Sequence, residues 1–151
     1  MKHCIGKTLA VAALIVAGSG AALAETPQEQ ANIKTVLAFY QAGLNDKNAD
    51  AAIKFLGSHY TQHNPNAADG PEGFRQFVAY LRDKHPQSKS TIERSFGDGD
   101  YVILHVHAVR DPGDRGDAIV DIFKLDKGKI VEHWDVTQAI PEKTASGNPM
   151  L

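Results

Sequence analysis

The stretch DIFKLDKGKIVEHWDVTQ, residues 121–138, places several chemically active side chains in what its alternation predicts to be two strands. Asp121 opens it, and Trp134, the only tryptophan of the chain, lies near its end. Aspartate is depleted in strands, so this sheet face is either solvated or lines a pocket that uses the carboxylate. A carboxylate on an apolar concave face can remove a proton alpha to a carbonyl group, which makes Asp121 a candidate general base. The alternative is a carboxylate that only holds a hydrogen-bond network.

Three histidines are candidates to work with this carboxylate. His107 of the HVH sequence could orient Asp121 or donate a hydrogen bond to a developing enolate oxygen; the alternative is a core histidine with satisfied hydrogen bonds. His105 shares its face, and the two imidazoles could hold a metal ion with His63 or Asp121 as a third ligand. His63 belongs to His63-Asn64-Pro65, which we expect at a pocket mouth unless it only shapes a turn.

Three helices followed by four strands must position these side chains. Helical spacing and capping signals predict helices at 27–44, 49–56 and 71–84, with a short extended piece at 60–63. Alternation between turn signals predicts strands at 88–97, 100–111, 117–126 and 129–138. This order predicts an α+β domain, with the helices packed on one face of a curved antiparallel sheet.

Hairpin turns determine which residues lie opposite each other. We centre the three turns on 98/99, Asp114 and 127/128. One predicted row across the sheet is then Ser90, His107, Asp121 and Trp134, and the next is Ile92, His105, Phe123 and Glu132. The first row places an imidazole within reach of Asp121, because paired Cβ atoms lie about 5 Å apart. We therefore expect His107 and Asp121 to be catalytic, and Ser90, His105, Phe123 and Trp134 to contact the substrate beneath the helices. His63 is expected at the mouth of the same pocket.

The other face of the predicted sheet is apolar as well. It contains Val102, Leu104, Val106 and Ala108, while His133 and Asp135 are expected to be surface or interface residues on that side. Three helices cannot easily cover both faces. Because an uncovered apolar face usually marks an interface, the sequence predicts a homodimer formed through this outer face.

The first 24 residues have the features of a secretory signal peptide. Lys2 and Lys7 precede a short apolar run, and Ala22-Leu23-Ala24 is a small-residue cleavage site. We therefore expect cleavage after Ala24, which leaves a single domain at 25–151. The leader is of bacterial type, so we expect a periplasmic or secreted location. The alternative is a short membrane anchor. After cleavage no membrane association is expected.

Composition limits the possible partners and chemistry. Removal of the leader takes away two lysines and no acid, so the net charge falls from −2 to −4. The chain has no basic patch, which argues against a nucleic-acid partner. Its one cysteine, Cys4, leaves with the leader, so neither disulfides nor thiol chemistry are expected in the mature domain.

Several of these sequences together resemble the SnoaL-like group of the nuclear-transport-factor-2-like superfamily. The similar parts are YTQHNP, a following DG and helix, HVHAV, VDIFKLDKGKIVEHWDVTQ and a late NPM, which span about 30–150. The resemblance implies a cone-shaped fold in which a curved antiparallel sheet and three helices enclose an apolar pocket. It also implies a polyketide-cyclase type of aldol condensation without cofactor or metal, with Asp121 as general acid/base beside His107. His63 and Trp134 match pocket-lining positions of the group.

Three functions remain open from the sequence. The first is a cofactor-free lyase or isomerase that acts on a small hydrophobic carbonyl compound. The second is a periplasmic binding protein that has the same pocket and no catalytic activity. The third is a metal-dependent enzyme that uses His105 and His107.

Overall fold

The computed structural model describes residues 24–151, so the predicted signal peptide and its cleavage site lie almost wholly outside the described residues. The first helix, α1, spans Pro27–Tyr40 and begins with the predicted capping box. Thr26 Oγ1 accepts from the backbone N–H of Glu29, and the Glu29 carboxylate accepts from that of Thr26. A π-helical turn, Gln41–Asn45, continues the helix. Such turns widen a helix locally and are frequent at functional sites.

Two further helices complete the helical layer. The short helix α2 spans Ala49–Ala52 and passes through a 3₁₀ turn, Ile53–Phe55, into the sheet. Helix α3 spans Gly70–Lys84, as its Pro71 and the following apolar spacing predict. No helix within residues 24–151 is long and apolar enough to cross a membrane.

The sheet has five strands in the order β1-β5-β4-β3-β2. They are β1 Leu56–Gln62, β2 Lys89–Asp98, β3 Tyr101–Val109, β4 Asp117–Asp126 and β5 Lys129–Ala139. Strands β2 to β5 form the predicted antiparallel meander. The extended piece predicted near 60–63 is part of β1, which pairs parallel to β5 at the edge of the sheet. The α+β fold class is therefore confirmed.

The predicted register between β3 and β4 is wrong. Asp121 lies opposite Leu104, and His107 lies opposite Ala118. The chain reverses at Asp111–Asp114, where the Asp114 N–H donates to the Asp111 carbonyl at 3.1 Å and Gly113 has φ +92°. Proline and glycine at the two central positions are typical of a type II turn. The turn centre therefore falls before Asp114, and the resulting odd shift places His107 and Asp121 on opposite faces.

The other two hairpins also differ from the predicted register. The β4–β5 turn has the predicted centre, but an irregularity between Lys124 and Leu125 shifts the pairing by one residue. Asp121 therefore lies opposite Asp135 rather than Trp134. On the other side, Asp98 pairs with Tyr101, so the turn centre lies at 99/100 rather than 98/99. An irregularity between Ile92 and Arg94 then leaves His107 opposite Thr91 rather than Ser90. A β-bulge produces such single-residue shifts and has no strong signal in the sequence.

The helices cover the face that was predicted to be free. Val102, Leu104 and Val106 have no solvent exposure and pack in the core with residues of α1 and α3. The predicted dimer face is therefore the core. The outward face instead carries exposed apolar side chains, including Val120 and Val136, the latter 72 % exposed.

A homodimer remains a prediction, now through the face that carries Val120 and Val136. We expect native mass spectrometry at micromolar protein to give twice the chain mass. A Val136→Glu substitution would shift the population toward monomer, because it places a charge where apolar surface would be buried. A monomer mass for the unsubstituted protein would contradict the prediction.

Candidate active site

A cavity of about 260 Å³ lies between the helices and the concave sheet face. Aromatic side chains from α1 and α3 form much of its wall, with Phe39, Phe74 and Phe77 among them. The strands contribute polar groups to the same cavity, namely Asp121 from β4 and His133 and Asp135 from β5. A cavity that combines an apolar aromatic wall with converging polar groups is the usual form of a small-molecule site.

Asp121 is the centre of the polar group. Its side chain is buried, with the residue only 4 % exposed. The Tyr40 hydroxyl donates to Asp121 Oδ2 at 3.1 Å, and His133 Nε2 lies 2.9 Å from Asp121 Oδ1. A buried carboxylate needs such partners to offset the loss of water. The carboxylate is thus held between a phenol and an imidazole.

The edge strand determines the protonation of His133. The backbone N–H of Asn64 donates to Gln62 Oε1 at 3.0 Å, which fixes this oxygen as an acceptor. His133 Nδ1, 2.7 Å from the same oxygen, must therefore carry a proton and donate it. Nε2 is left to face Asp121. The His133–Asp121 pair therefore shares one proton, as an imidazolium and carboxylate or as a neutral imidazole and carboxylic acid.

The amide of Gln62 is itself held in place. Its Nε2 donates to the Tyr60 hydroxyl at 3.2 Å, and its backbone N–H donates to Asp69 Oδ1 at 2.7 Å. The backbone N–H of His63 donates to the His133 carbonyl at 2.9 Å. Strand β1 thus fixes both the backbone and the ring of His133.

Tyr40 and Tyr60 remain protonated well beyond neutral pH. Burial, reinforced by the negative charge of Asp121, raises the pKa of both hydroxyls above the usual value for tyrosine. At neutral pH Tyr40 is therefore a hydrogen-bond donor to Asp121.

This shift predicts a loss of stability in alkali. Below about pH 10 the hydroxyls are protonated in both the folded and unfolded states. Above it the unfolded chain releases these protons while the folded chain keeps them, so the free energy of unfolding falls as pH rises. We expect urea unfolding across this range to show that fall, and the double variant Tyr40→Phe, Tyr60→Phe to have a shallower slope. Equal slopes in the two proteins would refute this assignment.

Asp135 adds a second carboxylate to the site. It lies opposite Asp121 in the sheet, and Asn64 Nδ2 donates to its Oδ2 at 2.5 Å. Asp121, His133 and Asp135 offer ligand atoms that lie within 4.8 Å of one another. Two carboxylate oxygens and one imidazole nitrogen could hold a divalent cation, provided that His133 Nε2 turned its lone pair to the metal.

Of the predicted site residues, Asp121, Phe123 and Ser90 line the cavity. His107 does not, because its Nε2 lies 2.8 Å from the Arg115 carbonyl on the outward face. His105 is also on that face, with Nδ1 2.8 Å from Arg94 Nη1. Among residues 24–151, neither histidine belongs to a group of three potential metal ligands, so the structure does not support the alternative of a metal site at His105 and His107.

His63 and Trp134 lie outside the cavity as well, although they contact each other. Their rings stack with centroids 4.6 Å apart and planes 2° from parallel, and His63 Nε2 lies 2.9 Å from Glu132 Oε1. Neither residue is among those that line the cavity. The stacked pair instead connects the residue that follows β1 to the outward face of β5.

Four residues of the site were not identified from the sequence: Tyr40, Gln62, His133 and Asp135. His133 and Asp135 were predicted to face outward, and the irregularity at Lys124 and Leu125 is the reason for that error. Tyr40 lies in the helix predicted at 27–44, whose spacing does not distinguish it from the other apolar residues of that helix. One signal in the sequence could have corrected the register. The Asp-Pro-Gly-Asp turn centres the β3–β4 hairpin at 112/113, and this register places His107 on the face opposite to Asp121.

Comparison with known proteins agrees with this architecture. Residues 36–133 match the family model described as the SnoaL-like domain. The chain belongs to the SnoaL-like family. No curated protein matches its sequence.

Solved structures with the same fold cover most of this SnoaL-like chain. A proposed SnoaL-like polyketide cyclase from Jannaschia sp. CCS1 is 21 % identical, with a TM-score of 0.64, covering 77 % of this chain and 91 % of its own. TsrD from Streptomyces laurentii is 18 % identical, with a TM-score of 0.62 and coverages of 72 % and 90 %. AclR, a proposed hydroxylase from Streptomyces galilaeus, is 16 % identical, with a TM-score of 0.60 and coverages of 73 % and 90 %. At these identities the likeness concerns the fold alone, because one fold hosts many activities.

Proposed function

We propose that this SnoaL-like protein is a lyase or isomerase of the aldol-condensation type, acting on a hydrophobic carbonyl compound by general acid/base catalysis. The observation that carries the proposal is the buried Asp121 carboxylate at the cavity wall, hydrogen-bonded by Tyr40 and His133. Aromatic side chains of the cavity suit an apolar substrate. Proton transfer between side chains and substrate needs no cofactor.

In the proposed reaction Asp121 removes a proton alpha to the substrate carbonyl. The C–H electrons form the enolate, and the proton stays on the Asp121 carboxyl group. His133 then remains as an imidazolium 2.9 Å from that carboxyl, and its positive charge stabilises the enolate. The enolate carbon attacks a second carbonyl of the same molecule, and the proton held by Asp121 passes to the new alkoxide. His133 also orients the Asp121 carboxylate through its hydrogen bond, which is the role first predicted for His107.

A binding protein without catalysis is the second candidate. It is favoured by the aromatic wall of the cavity, which would suit a ligand with an apolar part whether or not a reaction follows. On this reading the carboxylate, phenol and imidazole only recognise a polar group of the ligand. The predicted signal peptide adds the proposal that either function is carried out in the periplasm.

Deuterium exchange separates the two candidates. Ketones, diketones and ketoesters are incubated with the protein in D₂O, and exchange at the alpha carbon is followed by NMR. Ligand-observed NMR reports binding in the same samples. Exchange faster than in buffer supports the proposed function. Binding without exchange across the panel would overturn it in favour of the binding protein.

A further inference from the structure

A second polar group in the cavity lies away from Asp121, where β2 begins and β3 ends. Ser90 pairs with Ala108 in the sheet, and both line the cavity. The next positions on the same face are Ser88 and Arg110, which line it too. Alternation along the strands therefore brings a hydroxyl and a guanidinium to one end of the cavity.

The hydroxyl of Ser88 has no partner among the described residues. Ser88 is only 7 % exposed, and its Oγ is buried without a hydrogen bond to residues 24–151. A buried hydroxyl without a partner costs free energy, so its presence requires a reason. A ligand atom in the cavity would supply the missing hydrogen bond.

Arg110 is a cation without a counterion within the described part of the chain. The neighbouring acid, Asp111, is engaged by His85 Nδ1 at 2.9 Å. The Arg110 guanidinium lies over the Phe77 ring instead, 6.0 Å from its centroid. Arg110 is half-buried, so solvent partly screens its positive charge. The side chain is also part of the cavity wall.

The geometry points to a carboxylate-binding subsite formed by Arg110 and Ser88, so that the ligand is an amphipathic carboxylic acid with an apolar body. This inference rests on the proposed function only for the role of the opposite end, at Asp121. A guanidinium matches a carboxylate through two parallel N–H donors. Asp121 and Asp135 would repel an acid head group from their end of the cavity, so the ligand would bind in one orientation.

The same arrangement defines the shape of the ligand. Asp121 lies opposite Leu104, whereas Arg110 directly follows the end of β3, so the two charged groups lie toward opposite ends of the cavity. The Tyr40 hydroxyl belongs to the Asp121 end, because it donates to Asp121 Oδ2 at 3.1 Å. An elongated oxo acid would reach from the guanidinium to the Asp121 carboxylate.

Binding of decanoate, decanol and decyl phosphate by isothermal titration calorimetry tests this subsite. We expect decanoate to bind about ten- to a hundredfold more tightly than decanol, and Arg110→Gln to remove that preference. Ser88→Ala should weaken decanoate binding while leaving the thermal midpoint unchanged or higher, because it removes an unpaired hydroxyl. Arg94→Gln, which removes an arginine on the outward face, is the matched control and should bind decanoate normally.

Equal affinities for decanoate and decanol, or equal losses in Arg110→Gln and Arg94→Gln, would overturn the inference. Tighter binding of decyl phosphate would show that the subsite takes a phosphate rather than a carboxylate. These readouts require no turnover. If the protein prefers decanoate to decanol but exchanges no alpha protons in the ketone panel, the proposed function is refuted and the subsite stands. If it exchanges alpha protons of neutral ketones but does not prefer decanoate, the subsite is refuted and the proposed function stands.

Discussion

The Asp121→Asn variant is expected to lose about a hundred- to ten-thousandfold in the rate of alpha-proton exchange, the usual contribution of a general base. Asparagine has nearly the same shape but cannot accept the proton. Its carbonyl oxygen can still accept from Tyr40, and its amide can donate to His133 Nε2. The fold and ligand binding should therefore be retained, and the loss should appear in the rate alone.

NMR exchange rates for the variant, measured with a ligand that binds the unsubstituted protein, check this expectation. Asp126→Asn is the matched control, since Asp126 is an exposed aspartate at the end of the same strand. It should exchange at the unsubstituted rate. Undiminished exchange in Asp121→Asn would exclude Asp121 as the base, whatever the substrate.

The Phe123→Ala variant is expected to lower the free energy of unfolding by about 3–5 kcal/mol. Phe123 is 1 % exposed and makes edge contacts with Phe39 and Tyr40, with ring centroids 6.0 and 6.5 Å apart. Its ring also lies 4.7 Å from that of His133. Truncation would leave a cavity beneath the site. The loss would be a large part of the total free energy of unfolding, which is about 5–15 kcal/mol for a folded protein.

Urea unfolding at a fixed protein concentration measures this loss. Phe96→Ala removes the same side chain from a position that is 53 % exposed, and it should change the free energy of unfolding by less than about 1 kcal/mol. Comparable losses in the two variants would show that Phe123 does not hold the core together.

The sequence was sufficient to predict the elements but not the pairing that brings the site together. Capping at Thr26, alternation after Ser88 and the turn signals depend on local chemistry, and the structure has helices and strands at those places. Asp121 was correctly expected at the pocket because a carboxylate in an apolar strand requires a special environment.

Its partner was misassigned because side-chain direction depends on register. A shift of one residue moves each side chain to the other face of the sheet. The type II turn at Pro112-Gly113 could have been recognised from its residues, whereas the irregularity at Lys124 could not. Both faces of β3 contain apolar residues, so hydrophobicity did not indicate which face the helices cover. Tyr40 reaches Asp121 from 81 residues away in sequence, and local patterns contain no information on such a contact.

The edge position of β1 makes the site sensitive to local opening of this strand. This strand holds the His133 ring through Gln62, yet it pairs with one neighbour only, and that pairing is irregular between Leu56 and Thr61. Edge segments of this kind open in local fluctuations that cost less than global unfolding. Each such opening would release Gln62 and let the imidazole rotate or exchange its proton with solvent. The competent form of the site is therefore a subset of the folded ensemble, and its population follows the local stability of β1 rather than that of the core.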